Sequence, residues 1–264
     1  MKIYFVFADI HSYYDLWQSA LNEKGFDINN PDHIIISLGD LLDRGPDPLK
    51  CLEFVNSLPP ERKILIKGNH EDLIEEVFKR GYFANHDYLN MTVSTIEKLT
   101  GLDSYKISNV DEMILKAMKH ELLRNYLDSC INYYELDDNI FVHGWVPVEM
   151  TSNNKLQLVK DWKSDKSDWE SARWLNGMQM WAAGLSVPNK TIWCGHWHTS
   201  WGHANLHGDG KEFLDTIETM YIDPDTGKQE PHANFNPFID EGIVAMDGCI
   251  AYSKQVNVAV IEEL

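Results

Sequence analysis

Apolar positions follow two periods along the first eighty residues. Residues 2–8, 33–38 and 63–67 are short runs dominated by apolar and β-branched side chains, and each reads as a strand covered on both faces. Between the first two, residues 13–24 place Leu16, Ala20 and Leu21 at helical spacing and stop at Gly25. A second helix starts at Asp47-Pro48, an N-cap followed by proline in the first turn. It carries Leu49, Leu52, Phe54, Val55 and Leu58 and stops at Pro59-Pro60. A third helix covers 72–80 and is closed by Gly81. Strands alternating with helices predict parallel pairing with crossover helices.

The alternation breaks at residues 82–130, which predict helices at 91–100 and 111–127 around a 101–108 break. This reads as a helical insertion that caps the sheet and is placed to cover a site. Residues 132–136 and 140–143 predict a hairpin turned by Asp137-Asp138-Asn139. A polar, irregular start at 151–166 leads to a helix at 167–180 and a short strand at 191–194. Residues 199–241 are rich in Gly, Asp, Asn, Pro and His and read as a long excursion, a kind of loop that is functional or mobile. Two strands, 243–246 and 256–261, joined by a turn, end the pattern. The fold class expected is α/β, a two-layer β-sandwich of mixed sheets flanked by helices. It forms a single domain, 1–264, interrupted by the insertion at about 82–130 and the excursion at about 199–241.

Charge narrows the possible partners. Lys and Arg number 23 against 41 Asp and Glu, a net charge of −18. Such a surplus disfavours nucleic acid and anionic lipid, and repels phosphate-bearing molecules unless a local cation inverts the field. No run of 18 apolar residues is present, so no membrane span is expected. Residues 1–4 enter a strand pattern without a signal-peptide arrangement. Cys51, Cys130, Cys194 and Cys249 lie far apart in apolar surroundings and read as reduced thiols of a cytoplasmic protein.

The ends of the strand-like runs share one chemistry. They deliver Asp9 and His11, Asp40, Asn69 and His70, His143, and His196 and His198. In an extended chain residues i and i+2 point to one side, so Asp9 and His11 face one point. Open α/β sheets place ligands beyond the carboxyl ends of their strands. Oxygen and imidazole donors without thiolate, too many for one tetrahedral zinc, suit two divalent ions bridged by a carboxylate. Asp40, on the central strand, is the natural bridge. Manganese, iron and zinc all fit such donors, with manganese the leading choice.

The motifs D-x-H at 9–11, G-D-x-x-D-R-G at 39–45, G-N-H-E at 68–71, H-G at 143–144 and G-H-x-H at 195–198, in this order, resemble the calcineurin-like metallophosphoesterase superfamily. The complete second and third strings resemble its phosphoprotein-phosphatase branch, which includes bacterial Ser/Thr protein phosphatases and symmetrical diadenosine tetraphosphate hydrolases. The resemblance implies that Asp9, His11 and Asp40 hold a first metal, with His198 an additional ligand, and that Asp40, Asn69, His143 and His196 hold a second. It implies a hydroxide shared by the metals as nucleophile, His70 as the acid that protonates the leaving oxygen, and Asp43 as its partner. Arg44, and with it Arg173, would clamp phosphate oxygens. The substrate implied is a phosphorylated protein, or alternatively a small phosphoester or dinucleoside polyphosphate. A non-catalytic metal-binding module remains a third class, against which the complete His70, Asp43 and Arg44 set argues. Ser12 and Trp145 replace the family's usual glycine and small residue, which bears on substrate fit. Glu71 reads as a helix-start charge or a partner of a ligand. The tryptophans from Trp162 to Trp201 read chiefly as core, and otherwise as a wall for an aromatic group.

Overall fold

A computed structural model describes residues 1–214, 220–222 and 229–263. Two mixed sheets face one another. The first has the order Val258–Glu262, Ile3–Phe7, His33–Ser37, Lys63–Leu65; its outer pair is antiparallel and the rest are parallel. The second has the order Phe238–Asp240, Ile243–Ala245, Thr191–Cys194, Asn139–Phe141, Tyr134–Leu136, parallel at its centre and antiparallel at both edges. The expected two-layer architecture is thus observed.

Side-chain alternation divides the core into three layers. Tyr4, Val6 and Ala8 join Ile34, Ile36 and Leu38 in packing against Phe141, Val244 and Met246 of the second sheet. Phe5, Phe7 and Ile35 point the other way, into helices Tyr14–Glu23 and Pro48–Ser57. On the outer face of the second sheet, Ile140, Ile192 and Ile243 pack on Trp145, Trp162 and Trp169. Of the tryptophans from Trp162 to Trp201, Trp162 and Trp169 are buried in this core and Trp181, Trp193 and Trp201 pack partly buried against the core clusters, whereas Trp174 and Trp197 are exposed.

The insertion folds as helices Asn85–Leu89, Thr92–Thr100, Val110–Met118 and Glu121–Ser129. Through Ile96, Met113, Ala117, Leu123 and Tyr126 it extends the helical layer of the first sheet. The single helix expected at 111–127 is two, because His120 caps the second by accepting from the Leu123 amide. The helix expected at 167–180 likewise divides into Trp169–Ala172 and Gly177–Ala182, the latter capped by the Asn176 side chain. The helix after the third strand begins earlier than expected, at Asn69.

Two further differences concern the end of the chain. Residues 243–246 and 256–261 are not a hairpin. Ile243–Ala245 is buried inside the second sheet, whereas Val258–Glu262 crosses over through the short helix Ile250–Ser253 to edge the first. The excursion is also more ordered than expected. It holds helical turns at Ser200–Gly202 and His203–His207, a small antiparallel pair, Met220–Ile222 with Gln229–Pro231, and the edge strand Phe238–Asp240. Within it, residues 215–219 and 223–228 lie outside the described residues. Among the described residues no helix is long and apolar enough to cross a membrane.

Candidate metal centre and active site

Parallel strands of both sheets end at one edge of the sandwich, and their first loop residues converge there. Asp9 and Asp40 leave the first sheet, His143 and His196 leave the second, and Asn69-His70 opens a helix behind Lys63–Leu65. Asp9, His11, Ser12, Asp40, Asp43, Arg44 and His196 all have positive φ. Left-handed backbone is unfavourable for side chains of this kind and persists only where surroundings over-determine it. Here it occurs in the tight loops that follow the strands, where Asp9, His11, Ser12, Asp40 and Asp43 are buried and Arg44 stays exposed.

Asp40 sits at the centre. Its Oδ1 lies 3.4 Å from His143 Nε2 and accepts from the His70 amide at 3.0 Å; its Oδ2 lies 3.8 Å from both His11 Nε2 and His70 Nε2. Burial pushes its pKa up, but the surrounding rings of His143, His70, His11 and His196, to the extent that they carry a proton, outweigh this and hold the carboxyl below the usual range. Asn69 Oδ1 is 2.8 Å from His143 Nε2 and 2.8 Å from His196 Nδ1. Two trios bring donor atoms within 4.8 Å of one another: His11, Asp40 and His70, and Asp40, His143 and His196.

The donor chemistry fits a cation. The Nδ1–H of His143 donates to the Leu38 carbonyl at 2.6 Å, so the Nε2 of the neutral ring carries a lone pair. Burial lowers the pKa of His143 and takes that of His196 to about 3, which keeps both rings neutral. The lone pair of His143 Nε2 therefore points at the Asn69 and Asp40 oxygens, with His196 Nδ1 also beside the Asn69 oxygen, an arrangement that a divalent ion relieves. The backbone carbonyl behind His143, and Leu42 behind His11 Nδ1 at 3.0 Å, fix those ring tautomers.

Beside this cluster lies an acid–base pair. His70 Nδ1–H donates to Asp43 Oδ2 at 2.7 Å, both groups being buried. Burial depresses the His70 pKa, but the Asp40 charge and the Asp43 hydrogen bond raise it overall. The exposed Arg44 side chain donates to His11 Nε2 at 2.9 Å and His70 Nε2 at 3.2 Å, so its guanidinium spans the mouth of the site.

Three expected site residues are placed differently from the others. Asp9 belongs to neither trio; its carboxylate accepts the His196 amide at 3.0 Å and 3.1 Å. His198 is turned aside, with Nδ1 2.8 Å from Ser200 Oγ and its ring against Phe213 and Phe235. Arg173 is buried and its fork is already used: Nε and one terminal nitrogen donate to the two oxygens of Asp72 at 2.5 Å and 3.0 Å, and the other to Asn132 Oδ1 at 3.0 Å. Both edges of its fork are thus engaged by protein groups, which ties the Trp169–Ala172 segment to the helix that begins at Asn69.

Two groups were not among the expected site residues. Asp247 follows Ile243–Ala245 as Asp40 follows its own strand. It is buried next to Asp9, with its pKa pushed up to about 6 by that burial, and its charge in turn raises Asp9. Its signal, an apolar run ending in aspartate and glycine, was present in the sequence. Glu71 is fully buried and accepts from the amides of Asp40, Leu41 and Gly68 and from the Tyr126 hydroxyl, at 3.0, 3.2, 2.8 and 2.8 Å. It ties the loop after His33–Ser37 to the start of the helix at Asn69.

The calcineurin-like phosphoesterase family model matches residues 2–200, and the chain belongs to that family, whose members are metal-dependent phosphoesterases. It is 40% identical over 76 residues to serine/threonine-protein phosphatase 2 of Escherichia coli, covering 29% of this chain and 33% of that protein. It is 32% identical over 127 residues to the symmetrical bis(5'-nucleosyl)-tetraphosphatase of Buchnera aphidicola from Schizaphis graminum, covering 46% and 44%. The matched segments thus span less than half of either relative. Among solved structures, a candidate diadenosine tetraphosphatase superposes with a TM-score of 0.52 at 12% identity, covering 98% of this chain and 89% of that one. The cold-active protein-tyrosine phosphatase of a Shewanella species gives 0.51 at 13%, covering 100% and 76%. These two likenesses concern the fold.

Proposed function

We propose that the protein hydrolyses phosphomonoesters at a site holding two divalent ions, with phosphoserine or phosphothreonine in protein as substrate. His11, Asp9 and Asp40 would hold one ion, and Asp40, Asn69, His143 and His196 the other, with manganese the leading metal and iron or zinc its alternatives. Bound divalent cations make a water acidic enough to attack at neutral pH and neutralise phosphoryl oxygens. The chain's own groups do the rest. Arg44 moves from the two imidazoles to the phosphate, presenting a planar fork that matches two oxygens. His70 Nε2, released from Arg44, carries a proton to the leaving oxygen, while Asp43 holds Nδ1 and offsets the imidazolium charge.

The observation that carries this reading is the Asp43–His70 pair at 2.7 Å beside the lone-pair cluster, with Arg44 across the mouth. A binding module needs no general acid. His70→Asn is expected to lower kcat by about 10² to 10⁴ on an alkyl phosphate. Unchanged turnover would end the proposal, as would absence of hydrolysis of any phosphoester with both metals bound.

One observation favours a second substrate class, a dinucleoside polyphosphate. Trp174 and Trp197 are 47% and 37% exposed, and both rings pack edge-on to His196, at 5.6 Å and 6.0 Å between centroids. Half-exposed indoles beside a reaction centre offer faces on which a nucleobase can stack. Turnover of a phosphopeptide against diadenosine tetraphosphate, with manganese added, separates the two. Loss of only the nucleotide activity in Trp174→Ala and Trp197→Ala would give the tryptophans that role. The same reading places the protein in the cytoplasm, acting on phosphoesters rather than on nucleic acid or membrane.

A further inference from the structure

The acid–base pair has a third member that comes from outside the strand ends. Thr92 opens the insertion helix Thr92–Thr100 and is fully buried. Its hydroxyl donates to Asp43 Oδ2 at 2.7 Å, the same oxygen that accepts from His70 Nδ1 at 2.7 Å. The other oxygen of Asp43 has no hydrogen-bond partner. A threonine hydroxyl near a helix start ordinarily bonds to its own helix or caps it. Here the hydroxyl leaves the helix and reaches a carboxylate 49 residues away in sequence. Met91, immediately before it, takes a left-handed φ of 65° to present it. The same helix makes a second hold on the same loop, where Lys98 Nζ donates to the Gly45 carbonyl at 2.7 Å.

We propose that Thr92 is a positioning residue for the general acid: the insertion helix, through this hydroxyl, sets the plane of the Asp43 carboxylate and thereby aims His70. The inference rests on the reading of His70 as the acid. The terminal torsion of an aspartate is broad and roughly two-fold, so one hydrogen bond leaves the carboxylate free to swing. Two donors on one oxygen, from opposite elements, remove that freedom. Asp43 and Arg44 both have left-handed backbone, φ 70° and 59°, so their own local preference does not hold the loop. The insertion does, and what reads as a cap on the sheet takes part in orienting the proton donor.

Leaving groups of different basicity distinguish aim from mere packing. A poor leaving group such as an alkyl alcohol needs the proton; p-nitrophenolate does not. Thr92→Val keeps shape and volume and removes the donor. It is expected to lower kcat on an alkyl phosphate about ten- to hundredfold, the range of one hydrogen bond to a charged group, and to leave p-nitrophenyl phosphate within about threefold. Thr92→Ser keeps the hydroxyl and is expected to restore the wild-type ratio of the two substrates. In the metal-free protein, the downfield proton resonance of His70 Nδ1–H is expected to shift in Thr92→Val and not in Thr92→Ser, a readout independent of turnover. Equal losses on both substrates, no loss on either, or a Ser variant that behaves like Val would each overturn the proposal. His70→Asn is run in parallel. If it lacks the leaving-group split, the acid assignment fails and this inference with it; if it shows the split and Thr92→Val does not, only the role of Thr92 fails.

Discussion

Ser12 shows how single residues at this site trade stability for shape. It is fully buried, its φ is 61°, and its hydroxyl has no hydrogen-bond partner. Glycine tolerates that backbone and brings no orphan hydroxyl, at the cost of a more flexible unfolded chain. Ser12→Gly is therefore expected to stabilise the protein by about 1 kcal/mol, seen as a higher urea midpoint at unchanged slope. Asp247 makes a second residue-level case. Its folded pKa is raised to about 6 by burial, so its stabilising contribution is full below the ordinary carboxylate range and disappears as pH rises through about 6. In chelator-treated protein, Asp247→Asn should accordingly gain stability relative to the wild type between pH 4 and pH 7. A constant difference across that range would contradict the assignment. Asp247 and Thr92 also show two kinds of reading failure. The aspartate carries a visible strand-end signal that attention to motif spacing passes over. The threonine carries none, because its contact exists only once the insertion helix has docked.

Among the elements, the knot around Glu71 decides how the ligand loops are held. Three backbone amides and the Tyr126 hydroxyl converge on one carboxylate, although burial and the Asp40 charge push its pKa up to about 7. Glu71→Gln turns an amide nitrogen toward donors and leaves part of the set unpaired. It should cost about 2–4 kcal/mol in chemical unfolding, and Tyr126→Phe about 1–2. An equal cost for both would mean that the hydroxyl, not the amides, dominates. At this scale the strand–helix order was readable because His33–Ser37 and its neighbours are apolar on both faces and end abruptly in polar residues. The error over the last two strands has a simple cause. A run such as Val258–Glu262 shows that it is a strand, but its partner is chosen by packing, and the free edge beside Ile3–Phe7 lies far away in sequence. Arg173 illustrates the same limit. An arginine near a phosphate site looks like a clamp until a buried carboxylate, Asp72, reaches it first.

For the molecule as a whole, the proposed metal centre would join its two halves. Asp9, His11, Asp40 and Asn69 belong to the loops of the first sheet, and His143 and His196 to those of the second. Ions that bind only the folded arrangement stabilise it by mass action, about 2.7 kcal/mol at one hundred times the dissociation constant. For a chain of this length that corresponds to about 5–10 °C in melting temperature. Adding a chelator to manganese-loaded protein should lower the melting temperature by that amount, and restoring manganese should recover it; an unchanged melting curve would contradict a centre built from these residues. With a net charge of −18, cations bound at the strand ends would also offset the repulsion between so acidic a molecule and a phosphate.

The sandwich is thus a seam riveted at one end. Its hydrophobic filling runs the whole way between the sheets, but the rivet sits only where the parallel strands finish. Stripping the ions should let the seam part from that end first. In amide exchange, protection would then fall earliest along Gly39–Gly45 and Gly195–His198, while Tyr4 and Ile34, packed deep in the filling, would be the last to yield.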